Sequence, residues 1–173
     1  MQELEGYGLT LKLVDETTAE QVRLWRNDAE ISQFMDFKEH ISEEMQQIWL
    51  KNVQSSNDLF YVISKDEKLI GTIHLSQIDP IKKTAEAGIF IGEKNFSGTG
   101  ITLGASLLLL DFAFNSLEIQ NVSAKINVAN KAAEQYNQLL GFELFKSLSA
   151  SFNFWVLEKE KYLQRKSFLL NLI

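Results

Sequence analysis

Asn95-Phe96-Ser97-Gly98-Thr99-Gly100, with the apolar run Ile101-Thr102-Leu103-Gly104-Ala105-Ser106-Leu107-Leu108-Leu109-Leu110 directly behind it, decides the fold. Glycines at 98 and 100 let a backbone turn tightly and present amides with no Cβ in the way. The residues that follow are apolar nearly all round, which predicts a well-buried helix from about residue 101 to residue 117. Amides at the start of a helix carry a partial positive charge worth about 0.3 to 1 kcal/mol per favourable contact, so phosphate or pyrophosphate is the natural ligand. The spacing is neither GxGxxG nor GxxxxGK[ST], and a plain structural turn is the competing reading.

Outward from this loop, the strand that leads into it spans residues 85–91 and follows a turn at Asp79-Pro80. Before that turn, residues 59–64 and 68–76 read as an antiparallel pair. Residues 9–14 suggest a first strand, with a helix from the start signal at 15–18 to about residue 27. Ser42 caps a second helix in which Met45, Ile48, Trp49 and Val53 share one stripe. Downstream come a strand at 122–128, an amphipathic helix at 130–140 stopped by Gly141, a hairpin of 143–149 with 152–158, and a short terminal helix within 159–173. This order predicts an α/β (α+β) domain spanning residues 1–173, with a mixed, mostly antiparallel central sheet of about seven strands flanked by helices.

Composition narrows the chemistry. Of 173 residues, 45% are hydrophobic and 23% charged, the make-up of a globular chain with a sizeable core. Cysteine is absent, which removes disulfides, a cysteine nucleophile and thiolate metal sites; no metal is expected. Lys and Arg number 17 against 23 Asp and Glu, a formal net charge of -6, so neither a nucleic acid nor an anionic membrane is an expected partner. An anionic small ligand has to be gripped locally. Residues 1–8 lack a basic start followed by an apolar run, and the apolar stretch at 107–110 ends at Asp111, far short of the roughly 20 residues of a membrane span. A cytoplasmic protein is expected.

The loop at 95–100 and a second pattern, Asn130-Lys131-Ala132-Ala133-Glu134-Gln135-Tyr136-Asn137-Gln138-Leu139-Leu140-Gly141-Phe142, together resemble the two signatures of the GNAT N-acetyltransferases. Those signatures read [QR]xxGx[GA] after a strand and NxxAxxxYxxxGF on a later helix. The resemblance extends over nearly the whole chain, and it implies acetyl-CoA as co-substrate. The pantetheine arm would pair with the backbone of Ile89, Phe90 and Ile91. Its pyrophosphate would sit on the amides of Phe96, Ser97, Gly98, Thr99, Gly100 and Ile101, with Asn130, Ala133 and Asn137 alongside. Two positions depart from the pattern: Asn95 stands where Arg or Gln is usual, which leaves most of the phosphate holding to backbone amides, and Asn137 stands where the proton-donating tyrosine is usual. Tyr136 is one place away, a rotation of about 100° on a helix, so it is weighed both as the acid and as a packing residue.

Trp25-Arg26-Asn27-Asp28, with Ile31, Phe34-Met35 and Ile41-Ser42-Glu43 beyond it, resembles the WRN region of bacterial amino-sugar nucleotide N-acetyltransferases, including those of the pseudaminic-acid pathway. The resemblance puts Arg26, Asn27 and Met35 beside the acceptor. Attack by an amine requires its neutral form, and therefore a base. Glu86 shares a strand face with Thr84, Gly88 and Phe90, and His74 shares one with Thr72 and Ser76, so both are candidate bases. The implied reaction is direct transfer of acetyl to a primary amine, on an amino-sugar nucleotide first, on a protein amino terminus of ribosomal type second. A CoA-binding module without transfer activity is the third reading. A homodimer, common in the family, is a further expectation of the resemblance.

Overall fold

The computed structural model describes residues 3–96 and 100–173. Ser97, Gly98 and Thr99, the centre of the glycine loop, lie outside the described residues. The chain begins with a hairpin of β1 (Leu4–Gly6) and β2 (Leu9–Leu13), turned by Tyr7 and Gly8, both at positive φ. Asp15 accepts hydrogen bonds from the amides of Thr17 and Thr18, and α1 (Ala19–Arg26) starts from that turn. The four-residue α2 (Ala29–Ser32) is capped by Asp28, and α3 (Glu43–Ser55) by Ser42, whose hydroxyl accepts from the Met45 amide. Then follow β3 (Leu59–Lys65), β4 (Lys68–Asp79) and β5 (Thr84–Ile91), a 3-10 turn (Lys94–Phe96) and α4 (Gly100–Asp111). The last part runs through β6 (Asn121–Asn127), α5 (Lys131–Leu140), β7 (Glu143–Ser147), β8 (Phe152–Glu158) and α6 (Lys159–Leu170).

The sheet has the order β1-β2-β3-β4-β5-β6-β8-β7, antiparallel throughout except for the parallel pair β5 and β6. It holds eight strands rather than about seven, because three-residue β1 is too short to show a two-residue period. The predicted helix of 101–117 is α4 followed by a π-helical turn at Phe112–Ser116. That turn is pinned from outside: Lys159 donates to the Phe114 carbonyl at 2.6 Å, and the Tyr162 hydroxyl donates to Asp111 at 3.0 Å. Among the described residues no helix is long and apolar enough to cross a membrane.

Each sheet face has its own core. Tyr61, Ile63, Ile73, Leu75, Ala85, Val122 and Ile126 pack against α4 and α6, while Val62 meets Val14, Val22 and Leu50 of the α1–α3 layer. The stripe predicted on α3 is corrected here: Met45 and Ile48 are 40% and 53% exposed, while Leu50 and Gln46 point inward. Gln46 earns that place by donating from Nε2 to the Ala19 carbonyl at 2.7 Å, which ties α3 to α1 and turns the helix away from its most apolar face.

One irregularity positions the site. β5 and β6 pair over three registers only, Thr84 with Asn121, Ala85 with Val122 and Glu86 with Ser123. Past that point β5 stays on β4 as far as Ile91, and β6 stays on β8 as far as Asn127. The two parallel strands therefore splay, and the β5 backbone beyond Glu86 has a free hydrogen-bonding edge toward the gap.

Candidate active site

A cleft of about 800 Å³ opens at this splay and runs through the sheet. Its α4 side is lined by Ile89 and Ile91 of β5, Gly100, Thr102, Leu103 and Ser106 of α4, and Asn130, Ala133, Tyr136 and Asn137 of the α5 region. Phe90 lines it as well. Of the predicted cofactor residues, Ile101 is buried in the core, while Asn95 is exposed and Phe96 part-buried on the 3-10 turn. Asn130 caps α5, its side chain accepting from the Ala133 amide at 3.0 Å, and Asn137 donates to the Ala133 carbonyl at 2.8 Å. The Tyr136 hydroxyl bridges to α4, 3.0 Å from the Thr102 carbonyl and 2.6 Å from Ser106 Oγ. Burial raises its pKa well above the ordinary phenol range.

The other side of the cleft is lined by Phe34, Met35, Phe90 and Lys125, and aromatic and ionisable groups lie beside it on the same sheet face as Phe90. Strand alternation brings Phe60, His74, Glu86, Gly88 and Phe90 to one sheet face, under α1 and the segment after it. His74 stacks on Phe60 with centroids 4.5 Å apart and planes 17° apart, and Trp49 meets Phe60 edge-on. On the opposite strand only glycine fits, because a Cβ on Gly88 would stand 2.4 Å from His74 Cε1. Burial first, and the nearby Arg26 charge second, push the His74 pKa down to about 4, so its imidazole is neutral at neutral pH. Glu86 is moved the opposite way: burial raises its pKa, with the charge of Lys125 pulling against that rise. Its carboxylate accepts a hydrogen bond from Gln77 at 3.3 Å.

Arg26 is part-buried, which lowers its own pKa, and among the described residues it has no carboxylate partner. Asn27 exchanges both its amide groups with the Ile41 backbone, at 2.9 and 2.8 Å, and so closes the segment of residues 28–40 into a loop. Met35 and Phe34 of that loop line the cleft. Trp25 lies over the end of β5: it meets Phe90 edge-on, donates to Glu93 at 3.3 Å, and occupies the space that a Cβ on Gly92 would need.

A family model described as an acetyltransferase (GNAT) domain matches residues 8–143. The chain belongs to the GNAT acetyltransferase family. This GNAT chain is 30% identical over 135 residues to the acetyltransferase PseH of Campylobacter jejuni, across 75% of this chain and 82% of that protein. Over 84 residues it is 33% identical to the ribosomal-protein-serine acetyltransferase of Escherichia coli, across 49% of this chain and 46% of that one. Among solved structures, apo FdhC, described as a nucleotide-linked sugar GNAT, superposes with a TM-score of 0.83 over 99% of this chain and 98% of the other at 18% identity, which shows the shared fold.

The protein is thus a GNAT N-acetyltransferase with acetyl-CoA as its co-substrate. The cleft fits that substrate: among the described residues the β5 edge beyond Glu86 offers backbone groups not paired with β6, in a cleft of about 800 Å³ lined also by α4 and α5. Among the described residues no cluster of His, Asp or Glu is arranged to hold a metal ion. Lys125, on β6 at the α1 side of the cleft, and Ser106, bonded to the Tyr136 hydroxyl, were not singled out from the sequence. For Lys125 the signal was available as strand alternation, since it lies two residues past Ser123; for Ser106, inside an all-apolar helix, there was only its polarity.

Proposed function

We propose that this GNAT enzyme transfers acetyl from acetyl-CoA to the primary amine of an amino-sugar nucleotide, by direct attack within a ternary complex. The observation that carries this reading is that the proton acceptors Glu86 and His74 share one sheet face, with the guanidinium of Arg26 from α1 close enough for its charge to act on His74 and with no carboxylate partner among the described residues. An acceptor that joins an amine to phosphates uses both: the amine faces a base while a phosphate meets a cation. The likeness of the Trp25-Arg26-Asn27 region to amino-sugar nucleotide N-acetyltransferases supports the same acceptor, and so does the description of FdhC as a nucleotide-linked sugar GNAT.

In this scheme Glu86 takes a proton from the acceptor's ammonium, directly or through water, freeing the neutral amine to attack, and its raised pKa makes it a better base than an exposed carboxylate. Neutral His74 supplies a second lone pair on the same sheet face. The backbone of Ile89, Phe90 and Ile91 holds the pantetheine arm and helps polarise the thioester carbonyl. Tyr136, whose hydroxyl is bonded to α4 and which lines the cleft, is the candidate to give a proton to the departing thiolate, with a packing role as the alternative. Asn27 acts through the loop it closes, and Met35 through the wall it provides. The amides of the glycine loop hold the pyrophosphate.

The test is release of free CoA thiol with purified protein, acetyl-CoA and a panel of amino-sugar nucleotides. Turnover on the panel, with an acceptor KM that rises in Arg26→Met, is expected. Turnover on peptide amino termini alone would sink the sugar reading in favour of the protein acceptor suggested by the ribosomal-protein-serine relative.

A further inference from the structure

We infer that Lys125 is a positioning residue of the transfer reaction, clasping the segment of residues 33–41 over the acceptor half of the cleft through Asp36 and balancing the charge of the Glu86 carboxylate. Ser123 pairs with Glu86, and Lys125 follows two residues later on the same sheet face, at the point where β6 has left β5. Its Nζ lies 2.6 Å from Asp36 Oδ2 and 4.7 Å from the centre of the Phe152 ring. It lines the cleft together with Phe34 and Met35, the apolar residues that precede Asp36. The ammonium is therefore held at the mouth of the splay by a ring on one side and a loop carboxylate on the other.

The groups that face Glu86 can be named element by element. From β4 come Ser76, its register partner, Gln77, which donates to it, and neutral His74. From β6 come Ser123 and Lys125. The α1 charge, Arg26, acts on His74, and the loop charge, Asp36, is bound to Lys125. Lys125 is the cation whose charge acts on Glu86 and opposes the effect of burial. An ion pair as exposed as Lys125 with Asp36 adds little to global stability, so its consequence lies in where it puts a charge and a loop. Asp36 competes with Glu86 for the same ammonium, and an acceptor phosphate entering the mouth would compete with Asp36.

This inference rests on Glu86 as the base, and its test reads Glu86 without any acceptor. The Glu86 carboxyl is titrated by 13C NMR, its signal identified by its loss in Glu86→Gln. Lys125→Met is expected to raise the midpoint by roughly half a pH unit, and Lys125→Arg to leave it near the wild-type value. Equal midpoints in wild type and Lys125→Met would overturn the charge role. Hydrogen exchange of the amides of residues 34–40 tests the clasp, with several-fold faster exchange expected in both Asp36→Asn and Lys125→Met. Unchanged exchange in Asp36→Asn, an exposed position that folding does not depend on, would overturn it. Either failure leaves the sugar-nucleotide reading standing, and inactivity on sugar nucleotides leaves the Glu86 titration to be decided by itself.

Discussion

On the α4 side of the cleft the walls are largely apolar side chains and the backbone edge of β5 beyond its pairing with β6, whereas on the α1 side Phe34, Met35, Phe90 and Lys125 line it, with His74 and Glu86 on the same sheet face as Phe90 and the Arg26 charge near His74. Both halves share one strand, because alternation turns Ile89 and Ile91 to the first and Glu86, Gly88 and Phe90 to the second. In the proposed scheme the contrast follows from what each half would recognise. A co-substrate common to the family can be held by backbone groups, which every sequence supplies, while an acceptor is distinguished by side chains, which each sequence chooses.

The contrast is sharpest at Glu86. Glu86→Gln should lower kcat by about a hundredfold at neutral pH while leaving acetyl-CoA affinity, read by calorimetry, unchanged. Full activity in that variant would move the base to His74 or to water. Next in size is Asn27→Ala, which leaves the Ile41 amide without its partner and the Ile41 carbonyl with Arg23 alone; a loss of about 1 to 2 kcal/mol in urea unfolding is expected, with the acceptor KM rising more than that for acetyl-CoA. Gly88→Ala forces the imidazole of His74 aside and should cost roughly tenfold in kcat/KM for the acceptor. An unchanged rate would show that His74 serves packing alone.

On the co-substrate side, Tyr136→Phe removes two hydroxyl contacts to α4 and should cost about 1 kcal/mol of stability. A large fall in kcat beyond that cost would make Tyr136 the acid; a change within about twofold would leave it a bridge between helices. The smallest effect concerns pH. His74 binds a proton near pH 6.5 when unfolded and only near pH 4 when folded, so its contribution to stability is present above about 6.5 and declines as pH falls toward 4. Glu86, raised by burial, contributes with the opposite sign, its penalty easing as it protonates. His74→Gln should therefore flatten the acid limb of the stability curve, on the order of 0.5 kcal/mol over the first pH unit below 6.5.

Much of this architecture was legible from local pattern. Strands β3 to β5 and β8 announced themselves by alternation, Ser42 and Gly141 by cap chemistry, and the face shared by Glu86 and Gly88 by the two-residue period of a strand. β1 was missed because it has three residues, and the α3 stripe was misassigned because a tertiary hydrogen bond from Gln46 outweighed the exposure of Met45 and Ile48. Site residues divide in the same way. Glu86, His74 and Arg26 were legible as chemistry on known faces, while Lys125 and Ser106 gain meaning only from the loop and helix set beside them.

The sequence by itself determined the order of the longer elements, the family through two spaced signatures, and which side chains of each strand share a face, since all of these depend on residues near one another in the chain. The tertiary structure alone decided that β5 and β6 part after Glu86, that the Arg26 charge falls near a buried, neutral His74, and that Lys125, bound to Asp36, also acts on Glu86 by its charge. These are properties of residues far apart in sequence. Their energies depend on burial and on distances of a few ångströms, and only the packed chain sets either.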